Sequence, residues 1–252
     1  FFEGARPPRH DTGTRRGARD ILKNVKNRRH GLEEAGIAGR FDLPPGEAAE
    51  LQKRLGEFVR SEWDGRGVRL IAGIDVHFPS KDIARAAIAV AAWPGLDVVE
   101  TSCAELPCSM PYIPGLLSFR EIPPVLEAWK ALAGRPDLIL CDGHGLAHPR
   151  GFGMASHLGL LLDTPSIGCA KSHLFGSFTE PGPLKGETAK VIGKSGAVIG
   201  AVLRTRDRTR PVYVSVGHLI DLENAVRFVL GCSPRYRIPG PLREAHRLAG
   251  RR

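Results

Sequence analysis

Three extended runs in immediate succession, followed by short apolar runs that alternate with helical periodicity, leave few folds open to this chain. Val68 to Phe78, Ile83 to Trp93 and Asp97 to Ala104 each read as strands. The gaps between them hold Pro79-Ser80-Lys81-Asp82 and Pro94-Gly95, which are turn residues, so the three strands form an antiparallel meander. Upstream, a turn at Pro44-Pro45-Gly46 precedes a helix over Glu47 to Glu62 that places Leu51, Leu55, Phe58 and Val59 on one face. Downstream, Pro114 to Ala133 reads as a helix carrying Leu117, Val125, Leu126, Trp129 and Leu132. Strands at Leu138 to Cys141, Ser166 to Ala170, Ala197 to Leu203 and Val212 to Val216 then alternate with helices at Gly153 to Leu162 and Leu222 to Leu230. An α/β protein follows, its mixed β-sheet an antiparallel meander plus parallel strands, flanked by helices.

The charge of +9 is unevenly placed. Residues 1–40 hold ten Lys/Arg against five Asp/Glu, residues 233–252 hold six Arg against Glu244, and the body between carries a net −1. Residues 1–40 are rich in Arg, Gly and Pro, with little apolar periodicity, and read as a flexible basic arm on a single domain spanning 41–252. Basic ends suit a polyanionic partner, because Lys and Arg release counterions when they neutralise phosphates; a solubilising surface is the alternative.

No apolar run reaches the ~18 residues of a membrane span; the longest candidate, Ile83 to Trp93, contains Arg85. Phe1 is not a start methionine, and no signal peptide is visible. Cys103, Cys108, Cys141, Cys169 and Cys232 form no Cys-x-x-Cys pair, which argues against a zinc ribbon or a thioredoxin-type site. Buried free thiols in a reducing compartment explain them, and the expected location is cytoplasmic.

Two aspartates sit where carboxylates are costly. Asp75 interrupts the apolar run Leu70 to Val76, and Asp142 closes Leu138 to Cys141 and opens a glycine loop. A buried carboxylate needs a hydrogen bond, a counter-ion or a metal, and carboxylates on neighbouring strands can converge on a hard cation. A turn-capping role remains open for Asp142. The segment Met110 to Gly115 holds Tyr112 and Ile113 between Pro111 and Pro114, a stiff turn. Such a turn can be driven between bases as a wedge, or Tyr112 can pack back on the body. The residues alone favour packing. The loop from Asp142 to Gly153 carries four glycines, His144, His148 and Arg150, and leads into a helix whose N-terminal amides favour anions. His157, His173 and His218 carry no functional signal by themselves, and Gly193-Lys194-Ser195 lacks the earlier glycine of a phosphate-binding loop. Lys171 follows the strand Ser166 to Ala170, which brings its ammonium to the sheet edge of Asp142.

In order along the chain, Gly73 to Val76, Met110 to Glu121, Asp142 to Arg150 and Ala170 to Ser172 closely resemble the motifs of endonuclease V, the deoxyinosine 3′ endonuclease family. The resemblance covers roughly residues 47 to 250. It implies an RNase H-like fold and Mg²⁺-dependent hydrolysis, with Mn²⁺ as a substitute, in nucleic-acid repair. The cut falls at the second phosphodiester 3′ to a hypoxanthine-bearing nucleotide and leaves 3′-hydroxyl and 5′-phosphate ends. By motif, Asp75 and Asp142 are metal ligands and Glu121 the third acidic residue. Tyr112, with Ile113 and Pro114, forms the wedge, and Gly115, Leu117, Gly143, Gly145 and His148 belong to the base pocket or its rim. Lys171 approaches the scissile phosphate. The stretch Arg237 to His246 matches a basic, proline-containing segment of the family, so that His246 assists the attacking water; Gly240 and Leu242 stand where the family shows Glu and Thr. The implied partner of this expected monomer is deoxyinosine-containing DNA, with inosine-containing RNA as a second substrate class. Two rivals stay open, an RNase H-like nuclease of broader specificity and a nucleic-acid-binding module without catalysis.

Overall fold

A computed structural model describes residues 40–108 and 110–250, of which the part from Phe41 on forms one compact unit. The basic arm, apart from Arg40, lies outside the described residues. Eight strands make one sheet: β1 (Leu70–Ser80), β2 (Ile83–Ala92), β3 (Val98–Pro107), β4 (Leu138–Cys141), β5 (Ser166–Ala170), β6 (Thr188–Ile192), β7 (Val198–Leu203) and β8 (Val212–His218). Five helices accompany them, α1 (Pro45–Gly56), α2 (Leu117–Lys130), α3 (Met154–Leu162), α4 (Leu222–Gly231) and α5 (Gly240–Ala249). The spatial order is β3-β2-β1-β4-β5-β8-β7-β6. The expected meander is present as β1, β2 and β3, with β4 and β5 added parallel to β1 and the remaining strands antiparallel. No described helix is long and apolar enough to cross a membrane.

The side-chain alternation of the central strands divides the core between the two faces. Ala72, Ile74, Ile139 and Cys141 turn toward α2 and α3, where Ile122, Val125, Trp129 and Leu158 cover them. Ile71, Leu138, Leu140 and Ile167 turn the other way and meet Phe228, Val229 and Leu242 of α4 and α5. Asp75 and Asp142 fall on this second parity. Because β1 and β4 run parallel with Ile71 opposite Leu138 and Ile74 opposite Cys141, the next pair in register is Asp75 with Asp142. The Asp142 amide continues that ladder by donating to the Ile74 carbonyl at 3.0 Å.

The structure departs from the sequence pattern in places. The first helix ends at Gly56 rather than Glu62, and Phe58, expected on its apolar face, is exposed. Gly is the poorest helix former short of proline, which accounts for the early stop. The pattern marks neither β6 nor α5. The thiols Cys141, Cys169 and Cys232 are buried, but Cys103 is exposed on β3.

One contact sets the position of α5. A Cβ built on Gly73 would lie 2.2 Å from the Pro241 carbonyl carbon and 2.5 Å from the Leu242 nitrogen, so only glycine lets the helix start rest on the strand. Gly73→Ala is expected to cost about 1–3 kcal/mol, at the upper end because the obstacle is backbone. Thermal unfolding checks this, and an unchanged melting temperature would show that α5 does not depend on the contact.

Candidate active site at the end of the central strands

Asp75 on β1 and Asp142 just past β4 stand side by side, and α5 carries His246 across to them. His246 Nδ1 meets Asp75 Oδ2 at 2.5 Å, while Lys171, just beyond β5, pairs through Nζ with Asp142 Oδ2. A carboxylate oxygen only accepts, so His246 Nδ1 carries the proton, and in the neutral ring Nε2 is an acceptor. The Asp75 side chain is 11% exposed and His246 65%. One ligand atom each from Asp75, Asp142 and His246 lie within 4.8 Å of one another, close enough to share one ion. The expected third acid is placed differently. Glu121, in the second turn of α2, is buried outside that trio, and among the described residues only the nearby charge of Arg120 favours its ionised form.

These charges oppose one another. Burial, and then the charge of Asp142, hold the Asp75 carboxyl above its ordinary value, against the hydrogen bond from His246. Burial, with Asp75 and Asp142 adding repulsion, pushes Glu121 up to about 8. Two carboxylates in register and a third within range form a site that a divalent cation would relieve.

Beside the acids lies a pocket of about 180 Å³. Its wall includes Asp142 and Glu121, then Gly143, His144 and His148 from the glycine loop, and Tyr112, Pro114, Gly115 and Leu117 from the proline turn. The expected rim residue Gly145 is not in this wall. A Cβ there would fall 1.9 Å from the Val216 carbonyl oxygen, so Gly145 lets the loop pack on β8. Ile113 is half-buried and also outside the wall. Tyr112 is 65% exposed, which overturns the packed turn that the residues alone favour. The exposed side chain joins the pocket wall instead of returning to the body. His157 is wholly buried among Phe41, Phe119 and Phe152, a core residue.

The site also recruits Gln52, which the sequence pattern did not single out. Gln52 of α1 is buried, and its amide donates to the Phe152 carbonyl at 3.1 Å. Its Oε1 accepts from Arg150 Nε at 2.6 Å, and Arg150 Nη2 donates to the Gly115 carbonyl at 2.5 Å. Helix, glycine loop and proline turn are thereby clamped together. A polar residue on the buried stripe Ala48, Leu51, Gln52, Leu55 was the available signal. His148 Nδ1 accepts from the Arg150 amide at 3.2 Å, and burial first, then Arg150, lower its pKa to about 4, so the ring is neutral. His144 Nε2 faces the Ser172 carbonyl at 3.1 Å, which fixes the proton on that nitrogen.

A family model for endonuclease V matches residues 50–247. The chain belongs to the endonuclease V family. Endonuclease V of Trichormus variabilis is 50% identical over 208 residues, covering 82% of this chain and 94% of that protein. The crystal structure of endonuclease V from Streptomyces avermitilis is 42% identical with a TM-score of 0.78, over 82% of this chain and 91% of that one. Endonuclease V of Ciona intestinalis, solved with a 24mer DNA containing an inosine followed by a ribo-adenosine, is 27% identical with a TM-score of 0.71, over 81% and 95%. The family assignment makes the protein a nuclease with the RNase H-like fold, and the carboxylates at the strand ends suit the metal dependence of that class.

The buried acid gives a measurable pH dependence. Without metal, Glu121 is uncharged when folded up to about 8 but ionises near 4.5 when unfolded. The folded state therefore holds the extra proton between these values, and stability falls as pH rises from ~5 to ~8. Glu121→Gln is expected to flatten that fall, read from melting temperatures in chelator. A wild-type slope in the variant would mean that another group titrates.

Proposed function

We propose that this endonuclease V acts on nucleic acid containing deoxyinosine, hydrolysing the second phosphodiester 3′ to the hypoxanthine nucleotide with Mg²⁺. One observation carries the reading: the pocket and the metal-capable trio share Asp142, with Glu121 beside it in the pocket wall. A base drawn into the pocket brings its own strand, and hence the neighbouring phosphates, onto the carboxylates. The relative from Ciona intestinalis with its inosine-containing DNA supports the choice of base.

Asp75 and Asp142, the carboxylates in register, would hold the ion, with Glu121 reaching it from the pocket side once its proton is lost. When bound there, Mg²⁺ supplies Lewis-acid stabilisation of the phosphate and activation of water. The protein's own groups do the rest. His246, oriented by Asp75, presents Nε2 to take a proton from the attacking water. Lys171, paired with Asp142 and partly exposed, would offer its ammonium to the scissile phosphate. Tyr112 fills the space of the departed base, which must leave the stack to be read. Neutral His148, fixed in one tautomer, and the backbone of the loop at Gly143 line a pocket that rejects the exocyclic amines of adenine and guanine.

The test is a nicking assay on a duplex with one deoxyinosine, beside an undamaged duplex and an inosine-containing RNA. A Mg²⁺-dependent nick on the 3′ side of deoxyinosine is expected, abolished by chelator and restored by Mg²⁺ or Mn²⁺. Asp75→Asn and Asp142→Asn should lose activity by orders of magnitude while remaining folded. Equal cutting of the undamaged duplex would establish a broad nuclease, and binding without a nick would establish a recognition module.

Tyr112→Ala separates wedge from packing. Unstacking costs a few kcal/mol, so the variant should lose activity on a paired duplex and lose less on a single strand. Its stability should change by no more than about 0.5 kcal/mol, since the side chain is exposed. A large drop in melting temperature, with equal losses on both substrates, would make Tyr112 structural.

A further inference from the structure

Outside the base pocket, α5 carries an arginine held over a tyrosine ring. The guanidinium carbon of Arg243 lies 3.5 Å from the centroid of the Tyr236 ring. Tyr236 is 51% exposed and Arg243 is also exposed. Among the described residues Arg243 has no ion pair, whereas Arg247, one turn on, is closed off by Glu244. An exposed stack of this kind holds the guanidinium plane on the ring face and leaves the N–H groups along its edge to the solvent side.

Two links fix the pair beside the acidic cluster. Arg243 is three residues before His246 on α5, so both side chains lie on one helical face, and His246 is bonded to Asp75. Tyr236 precedes Arg237, whose Nη2 donates to the Lys171 carbonyl at 2.7 Å, and Lys171 is paired with Asp142. No residue of α5 lines the base pocket. The order is therefore the pocket with α2 on one face of the sheet, the carboxylates at the strand ends, and α5 with Arg243 on the other face.

From this order we propose that Arg243, seated on Tyr236, binds a backbone phosphate of the cut strand on the 3′ side of the scissile bond. The inference rests on the functional reading above, because a base held in the pocket with its 3′ phosphate on the carboxylates sends the next nucleotides over α5. Planar, weakly hydrated guanidinium suits a phosphate, and the ring beneath reduces the freedom it loses on binding. The contact gives the enzyme grip on the flank it must not release before hydrolysis.

The experiment uses the full chain and a series of deoxyinosine strands that end one, two, four or eight nucleotides beyond the scissile bond. KM and kcat are measured with Mg²⁺ for the wild type, Arg243→Ala, Arg243→Lys, Tyr236→Phe and Tyr236→Ala. In the wild type KM is expected to fall as the 3′ flank lengthens, by roughly ten-fold for one charge-assisted phosphate contact. In Arg243→Ala the ratio of KM between shortest and longest strands should collapse toward one, and the log–log salt slope on the long strand should shrink by about 0.7–0.9. Tyr236→Phe should keep the ratio, with Tyr236→Ala and Arg243→Lys in between. A uniform drop in kcat at every length would place Arg243 in support of His246 and overturn the proposal, as would an Arg243→Ala enzyme with the full wild-type ratio. A wild type that cuts no strand of the series overturns the functional reading itself, a different result from either of these.

Discussion

The contact of bare backbone with bare backbone at Gly73 is what the rest of this site stands on. The start of α5 lies so close to β1 that no side chain fits between them. From Pro241, resting there, it takes about 1.4 helical turns to reach His246. From Gly73 it takes two residues along the strand to reach Asp75, on the same face. The close approach converts these two short walks into a 2.5 Å hydrogen bond. A larger residue at 73 would lift the helix and part His246 from Asp75 without altering either. Leu242 is buried in the core of this face, so the helix is anchored by apolar packing just where its backbone touches the strand.

The parallel pairing of β1 and β4 supplies the other half of the geometry. Register alone puts Asp142 beside Asp75, and α2 on the opposite face brings Glu121 toward the same end of the sheet. The protein therefore concentrates three acids against the drive of burial and like-charge repulsion, and offsets this only in part with Lys171 and His246. Such an arrangement weakens the metal-free fold, and in the proposed reaction a cation held by these acids would favour the ionised form of Glu121. Lys171 and His246 each occupy a carboxylate oxygen while remaining partly exposed, which suits the roles proposed for them toward phosphate and water.

Much of this was legible in the residues, for identifiable reasons. The meander showed because its turns are dense in proline, glycine and aspartate, and Asp75 showed because a charge in an apolar strand has no cheap explanation. What escaped depends on tertiary context. Helix α5 opens with Gly240 and Pro241 and is mostly polar, so its apolar stripe of Leu242, Ala245 and Ala249 is too thin to read without the strand it covers. β6 is a half-exposed edge of five residues. Asp75, Asp142 and His246 lie together as the motifs imply, but the wholly buried setting of Glu121 depends on how α2 packs over the sheet and could not be read from sequence order. Tyr112 was misjudged from composition: two prolines stiffen a turn, but only the body beneath decides whether the ring can return to it. Gly145 serves packing against β8 rather than the pocket, a distinction invisible until β8 is in place.

The clamp made by Gln52, Arg150 and the Gly115 carbonyl bears on how recognition meets catalysis. The proline turn is stiff internally, but stiffness does not position it; a rigid turn on a loose base would swing as a unit. Arg150 supplies the position by bridging a buried helix residue to the turn's backbone, while its own amide holds His148. Tyr112 above the pocket, His148 within it and Asp142 in its wall are therefore referred to one frame, a short path through two hydrogen-bonded side chains and a sheet end. Charge-assisted bonds of this kind contribute roughly 1.5–3 kcal/mol each, enough to keep the turn in place on the body. A base that fails to enter the pocket leaves the strand short of the acids by the same rigid distance, so in the proposed reaction discrimination and phosphate placement are two readings of one geometry.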